Sequence, residues 1–237
     1  MKILAFDTTN NTMSVAITAD NSIVAEENLL QSGLQAEMLI PLIEKSLNKA
    51  GIWYQDLNLL AITGGPGSFT GVRIGFSVAK AIKLATSLPL VTASSLEVIA
   101  YDYRTGIYKE QEYNKILITS DARLGELFIQ QFTIVKADGM NKIQADYPAK
   151  LIDSEDFSSW VFENDLLNNQ FLLAGNAKNI VANKLKGNKL IISEEDDIIR
   201  ATNLAYLSAD KYNQGYSEQE VDDICYIRKP RVTKKDS

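Results

Sequence analysis

A chain of 237 residues, 46% of them apolar, is long enough for one large or two small domains around a sizeable core. It has no histidine and one cysteine, Cys225, which closes zinc-hydrolase motifs, histidine-based triads and most non-haem iron sites to the chain acting alone and excludes an internal disulfide. A net charge of −6 argues against a stand-alone nucleic-acid binder, whose phosphate contacts require a basic face.

In chain order, apolar runs predict strands at 3–6, 13–18 and 23–27, a helix over 34–50, a buried strand at 57–63, a helix over 70–86 and a strand at 90–93. Met13, Val15 and Ile17 alternate with Ser14, Ala16 and Thr18, the pattern of a strand with one covered face. In the first helix Leu34, Met38 and Leu42 lie four residues apart, and Leu39, Ile43 and Leu47 form the neighbouring row, so one broad stripe is apolar. Pro41 within that stripe requires either a kink or a later start.

The second half opens with Lys115-Ile116-Leu117-Ile118-Thr119-Ser120-Asp121, a short turn and a strand through Leu127-Phe128-Ile129, which echoes Lys2-Ile3-Leu4-Ala5-Phe6-Asp7 and the strand after it. Two copies of strand, terminal aspartate, turn and strand predict a duplicated α/β architecture with lobes at 1–103 and 104–237, each supplying an acidic turn to a central cleft. That is the layout of the actin/hexokinase/Hsp70 superfold; strand–Asp–turn is also common enough to arise without duplication. Residues 138–166 show only scattered apolar positions, among them Tyr147, Phe157, Trp160 and Phe162. Beyond them a strand at 170–173, a helix running to Leu185 and a last helix over 201–212 are expected. Arg228, Lys229, Arg231, Lys234 and Lys235 make a locally basic end, either a solvated tail or one facing RNA or a partner. No apolar run approaches the roughly 18 residues of a membrane helix, and one lysine followed by an acid is the wrong opening for a signal peptide, so the chain reads as cytosolic.

Asp7 with Thr8 and Thr9 at a strand end resembles the first phosphate-binding turn of that superfold, where a carboxylate and hydroxyls orient a metal-bound phosphate, and Asp121 is its counterpart. The same residues equally describe a turn that satisfies its own backbone. The loop at 64–71 joins a strand to a helix and aims backbone N–H groups at an anion. It lacks the lysine of a P-loop, and Gly65, Gly67 and Gly71 miss the dinucleotide-binding spacing by one residue. The helix that follows carries Gly71, Gly75 and Ala79 at four-residue intervals. Glycine inside a helix costs about 1 kcal/mol relative to alanine, so a close approach must compensate, either by the first helix or by another subunit.

Phe6-Asp7-Thr8-Thr9, the loop from Thr63 through Gly64-Gly65-Pro66-Gly67-Ser68-Phe69-Thr70-Gly71-Val72-Arg73-Ile74 to Gly75, Ala79-Lys80-Ala81, Ser94-Ser95-Leu96-Glu97, Asp121-Ala122-Arg123-Leu124-Gly125-Glu126-Leu127 and Tyr226-Ile227-Arg228 follow one another in an order and spacing that resemble the bacterial TsaB (YeaZ) family over nearly the whole chain. The resemblance implies a subunit of the machinery that forms N6-threonylcarbamoyladenosine at position 37 of tRNAs reading codons that begin with A. In that family the chain is a degenerate relative of the catalytic subunit TsaD and associates with TsaD and the ATPase TsaE. TsaD holds its metal through a His-x-x-x-His pair, and this sequence places Ser95 and Ile99 at those positions, neither of which replaces an imidazole. The older glycoprotease label of the wider family thus finds no supporting residue here. Near Gln31-Ser32-Gly33-Leu34-Gln35-Ala36-Glu37 many relatives carry a histidine that is absent.

The resemblance therefore implies no catalytic residue and no metal, with Asp7, Thr8, Thr9, Gly65, Gly67 and Asp121 lining a vestigial or shared nucleotide cleft. It leaves ATP or ADP as a ligand of the junction with TsaD, not of this chain alone. Leu34, Met38, Leu42, Gly71, Gly75 and Ala79 are the expected partner face, which pairs two copies into a homodimer when TsaD is absent. Contact with tRNA is expected only through the complex, and with a membrane not at all. The alternative is an independent ATPase or small-molecule kinase of the same superfold, using Asp7 and Asp121 around Mg²⁺.

Overall fold

A computed structural model describes residues 1–10, 12–30, 33–137, 139–164, 170–185, 189–215 and 227. The N-terminal half folds as β1 (Lys2–Asp7), β2 (Met13–Ala19), β3 (Ser22–Leu29), α1 (Gln35–Ala50), β4 (Leu59–Thr63), α2 (Phe69–Thr86), β5 (Leu90–Ala93) and α3 (Ser95–Asp102). A small hairpin of β6 (Ile107–Tyr108) and β7 (Gln111–Glu112) leads into the second half. There β8 (Lys115–Arg123), β9 (Glu126–Ala137), β10 (Met140–Ala145) and β11 (Lys150–Asp153) precede α4 (Phe157–Glu163), β12 (Phe171–Ala174), α5 (Lys178–Ala182), β13 (Leu190–Ile192) and α6 (Ala201–Asn213).

The predicted duplication is present. The first sheet runs β3-β2-β1-β4-β5 and the second β10-β9-β8-β12-β13, the same order place for place, with β11 paired to the start of β9. In each, an antiparallel meander is extended by two parallel strands beside its first strand. Parallel strands need cover on both faces, and the alternation along β1 supplies it. Leu4 and Phe6 point into a core beneath α1 and α2 with Leu39, Ile43, Val72 and Phe76. Ile3 and Ala5 point the other way, into a core between the two sheets that also holds Leu96, Ile99, Leu204, Ile116, Ile118 and Phe132. On the far face of the second sheet, Leu117, Ile129, Phe171 and Leu173 pack with Phe157, Trp160 and Val181 of α4 and α5. The result is five layers, with α3 and α6 in the middle.

Those two helices change places between halves: α3 lies on β8, and α6 lies on β1 and β2. A boundary after residue 103 therefore separates the strands of the two lobes but not their helices. The face of β2 expected to be open, with Ser14, Ala16 and Thr18, is buried too, because α6 covers it. Elsewhere the expectations need four adjustments. First, α1 begins at Gln35, ahead of Pro41, so the proline does not delay its start. Second, α3 was not expected; Ser95, Leu96, Val98, Ile99, Ala100 and Tyr101 are all buried, which leaves no polar stripe to reveal a helix. Third, the helix after Gly175 is the five residues of α5 and does not continue to Leu185. Fourth, the featureless 138–166 stretch contains β10, β11 and α4. Among the described residues no helix is long and apolar enough to cross a membrane. Cys225, Gln31, Ser32 and the basic residues at 228–235 lie outside the described residues.

Candidate functional site

The parallel register that sets Phe6 beside Ile62 brings the ends of β1 and β4 together, so Asp7 meets Thr63. Asp7 is fully buried. The backbone N–H of Thr9 (3.1 Å), the Thr9 hydroxyl (2.6 Å) and the Thr63 hydroxyl all donate to its Oδ1. Its Oδ2 is buried with no hydrogen-bond partner among the described residues. Burial pushes the carboxyl from its ordinary 3.8 up to about 6, against the opposing pull of Thr63 and Thr9. This is an acid whose bare oxygen is suited to hold a proton just below neutral pH, not an open carboxylate.

The glycine loop closes over this turn. Ser68 N–H donates to the Thr9 carbonyl (2.7 Å), and the Thr8 hydroxyl donates to the Gly71 carbonyl (2.7 Å). Ser68 caps α2 by accepting from Gly71 N–H at 3.2 Å, which fixes where the loop becomes helix. The Gly65 carbonyl accepts from Ser95 N–H (2.9 Å), and Gly67 packs on the backbone of Thr9. The hydroxyls of Thr8, Thr9 and Thr63 are thus committed to the chain itself, as the self-satisfying turn requires.

The same contacts correct the expected partner face. A Cβ on Gly71 would overlap the Thr8 carbonyl, and one on Gly75 would come within 2.6 Å of the Thr8 hydroxyl. Gly71 and Gly75 therefore admit the close approach of the chain's own Asp7–Thr9 turn. Ala79 and Leu42 are likewise buried in the core beneath α1 and α2, while Leu34 and Met38 are half-buried. What the helix pair presents outward is Ile40 of α1, 50% exposed, and Phe69 and Leu84 of α2, 43% and 88% exposed. The Arg73 guanidinium lies 3.8 Å from the centre of the Phe69 ring.

Asp121, the counterpart of Asp7 in the second half, sits beside a bulge in β8. It accepts from Arg123 N–H (2.7 Å), and its own N–H donates to Asn176 Oδ1 (2.8 Å). Ser95, at one position that the resemblance matches to a metal-holding histidine, donates to the Pro66 carbonyl (2.5 Å), and Ile99, at the other, lies in the core between the sheets. Among the described residues no three His, Cys, Asp or Glu side chains are grouped as metal ligands.

Sequence reasoning missed a second buried acid. Asp197 Oδ2 accepts from Lys178 Nζ (2.5 Å) and Gly175 N–H (2.8 Å), and its Oδ1 accepts from the Tyr103 hydroxyl. These residues are too far apart in sequence to form a motif; the one local signal is Gly175 ending the apolar run of β12.

A doubled β3-β2-β1-β4-β5 order with an acidic turn at each central strand defines an actin-like, two-lobed α/β protein. The family model described as TsaD, tRNA N6-adenosine threonylcarbamoyltransferase, matches residues 32–228. The tRNA threonylcarbamoyladenosine biosynthesis protein TsaB of Escherichia coli (strain K12) is 33% identical over 132 residues, 56% of this chain and 55% of that protein. TsaB of Bacillus subtilis (strain 168) is 35% identical over 104 residues, 44% and 45% of the two chains. The chain thus spans about half the length of the curated relatives it matches. The solved YeaZ of Pseudomonas aeruginosa, 22% identical, superimposes with a TM-score of 0.74 over 95% of this chain and 99% of its own, which establishes the fold. The chain belongs to the TsaD family and, within it, to the TsaB (YeaZ) branch.

Proposed function

We propose that this chain is a non-catalytic cytosolic subunit in the formation of N6-threonylcarbamoyladenosine at position 37 of tRNA, docking TsaD through the outer surface of α1 and α2 and acting together with TsaE. The observation that carries this reading is the contrast at α2. Its inner, small-residue side is filled by Thr8 and its phosphate-turn hydroxyls are committed within the chain, while its outer side, with α1, leaves Ile40, Phe69 and Leu84 in solvent. Exposed apolar residues on neighbouring helices are the usual core of a protein interface. ATP or ADP would then sit at the junction with TsaD, tRNA would meet this chain only as part of the assembly, and in the absence of TsaD the same surface would pair two copies.

The test uses Ile40→Glu with Leu84→Glu, positions exposed enough to leave the fold unchanged by circular dichroism. Wild-type chain should co-elute with TsaD on size exclusion and, with TsaE, support formation of the modified nucleoside from threonine, bicarbonate and ATP. The double variant should lose affinity by about thirtyfold, the effect of removing one interface hot spot. Undiminished association of the folded variant overturns the assignment.

A further inference from the structure

A cavity of about 330 Å³ opens where the C-terminal end of α3, the β6/β7 hairpin and the loop before α6 meet. It lies away from the Asp7 turn and from the outer surface of α1 and α2, and the proposed docking role makes no use of it. Its volume falls at the low end of small-molecule sites, which run from roughly 300 to 1,000 Å³.

Its walls are tyrosine rings whose hydroxyls face other work. The Tyr103 hydroxyl donates to Asp197, the Tyr113 hydroxyl donates to the Tyr103 carbonyl (2.7 Å), and the Tyr108 hydroxyl accepts from Glu194 N–H (2.9 Å). The rings of Tyr103 and Tyr108 meet edge to face with centres 6.1 Å apart. What these side chains offer a guest is therefore aromatic surface, with an electron-rich face of the kind that attracts cations; the Lys109 ammonium, paired with Glu194, already lies 5.8 Å from the centre of the Tyr108 ring.

The charges point the same way. Asp197, on the cavity wall, is matched by Lys178 at 2.5 Å. Asp102 and Glu195 then outnumber the single lining guanidinium, Arg200, whose Nε lies 3.9 Å from Asp102 Oδ2; Asn203 and Arg104 also act on the Asp102 carboxylate. The loop carrying Glu195 and Arg200 is held before any ligand arrives, because Asp197 ties it to Gly175, Lys178 and Tyr103. A preformed wall reduces the ordering cost of binding.

We infer that this cavity binds a small ammonium-bearing molecule, with its amine at the carboxylates of Asp102 and Glu195 and its carbon skeleton against Tyr103, Tyr108 and Tyr113. Two sources carry that group: a free α-amino acid, whose carboxylate would meet Arg200, and an aliphatic diamine, which has none.

Calorimetric titration of the full-length chain separates them. The probes are a panel of L-amino acids and 1,4-diaminobutane at millimolar concentration, with propionate and n-butanol as controls that lack the amine. Binding by either amine class, with both controls silent, is the expected result. Asp102→Asn, shown folded by circular dichroism, should weaken it by about tenfold, the worth of one charge-assisted hydrogen bond. Arg200→Gln should weaken the amino acid arm and spare the diamine arm, which identifies the source. Glu195→Gln, in an exposed loop, gives the same readout should Asp102→Asn fail to fold. The inference is overturned by silence from every amine, by equal binding of the controls, or by unchanged affinity in the folded carboxylate variants.

Discussion

At the end of β1, Asp7 is wholly buried and gathers Thr9 and Thr63 onto one oxygen; at the matching end of β8, the Asp121 side chain is a third exposed and takes the Arg123 N–H, with the Arg123 guanidinium 3.6 Å away. The second half still buries a carboxylate nearby, but it is Asp197 from the loop before α6, and it is paired with a lysine. One strand order has thus been used twice with two solutions to the cost of burying an acid. In the first half hydroxyl donors lower the cost without cancelling it, and the carboxyl titrates high. In the second a counter-ion and a backbone N–H offset it. Duplication fixes where a carboxylate falls along the strands; what covers the strand end decides its charge.

Asp197→Ala is the most damaging change this comparison predicts. It leaves the Lys178 ammonium, itself only 9% exposed, without its counter-ion and removes the acceptor of Tyr103 and Gly175. Breaking one side of a buried pair costs about 3–5 kcal/mol, and urea unfolding should report a loss of that order. Adding Lys178→Met should restore a large part of it, since the uncompensated charge goes too. A loss near zero for Asp197→Ala would mean that the two halves do not differ as described.

Asp7→Asn should act in the opposite direction and depend on pH. The folded-state value of about 6 lies above the ordinary 3.8, so the folded protein binds this proton more tightly than the unfolded chain. The charged form therefore weakens the fold fully above about pH 6. That penalty fades as pH falls through 6 and is gone below 3.8. The rise is worth roughly 3 kcal/mol at neutral pH, an upper bound for the variant because its buried amide then needs an acceptor. The stability of Asp7→Asn relative to wild type should accordingly be higher at pH 7.5 than at pH 4.5 by about 2 kcal/mol in paired urea titrations, part of the penalty being still present at pH 4.5. A pH-independent offset would show that Asp7 carries no raised value.

The sequence made the first of these acids visible and hid the second. Asp7-Thr8-Thr9 is contiguous and follows an apolar strand, and the Gly64–Gly71 loop announces its partner by composition. Thr63 could have been added from the expectation that β4 lies parallel to β1 with matching ends. The central strands of the first sheet were legible because both their faces are covered, which makes β1 and β4 continuous apolar runs. In the second half β12 was read from its apolar run, but β13 is only three residues, too short for a period to show; in the first half α3 is buried nearly all round. The small-residue face of α2 was visible but assigned to the wrong neighbour. Spacing shows that a backbone comes close; which backbone depends on contacts across 63 residues, such as Thr8 with Gly71.

The smallest predicted effect is the sharpest test of the contrast between the two aspartate turns. In Asp121→Asn the amide oxygen still accepts from Arg123 N–H, so the turn keeps the bond that shapes it. What is lost is the charge facing the Arg123 guanidinium, which is 69% exposed and 3.6 Å away, beyond hydrogen-bond contact. Exposed pairs of this kind contribute about 0–1 kcal/mol, and salt screens even that. Asn176→Ala, which removes the acceptor of the Asp121 N–H, should cost more, about 1 kcal/mol, although no charge changes. Urea midpoints at neutral pH should therefore rank Asn176→Ala below Asp121→Asn. The reverse order, or a loss above about 2 kcal/mol for Asp121→Asn, would make Asp121 as deeply embedded in its half as Asp7 is, and the difference between the two turns would vanish.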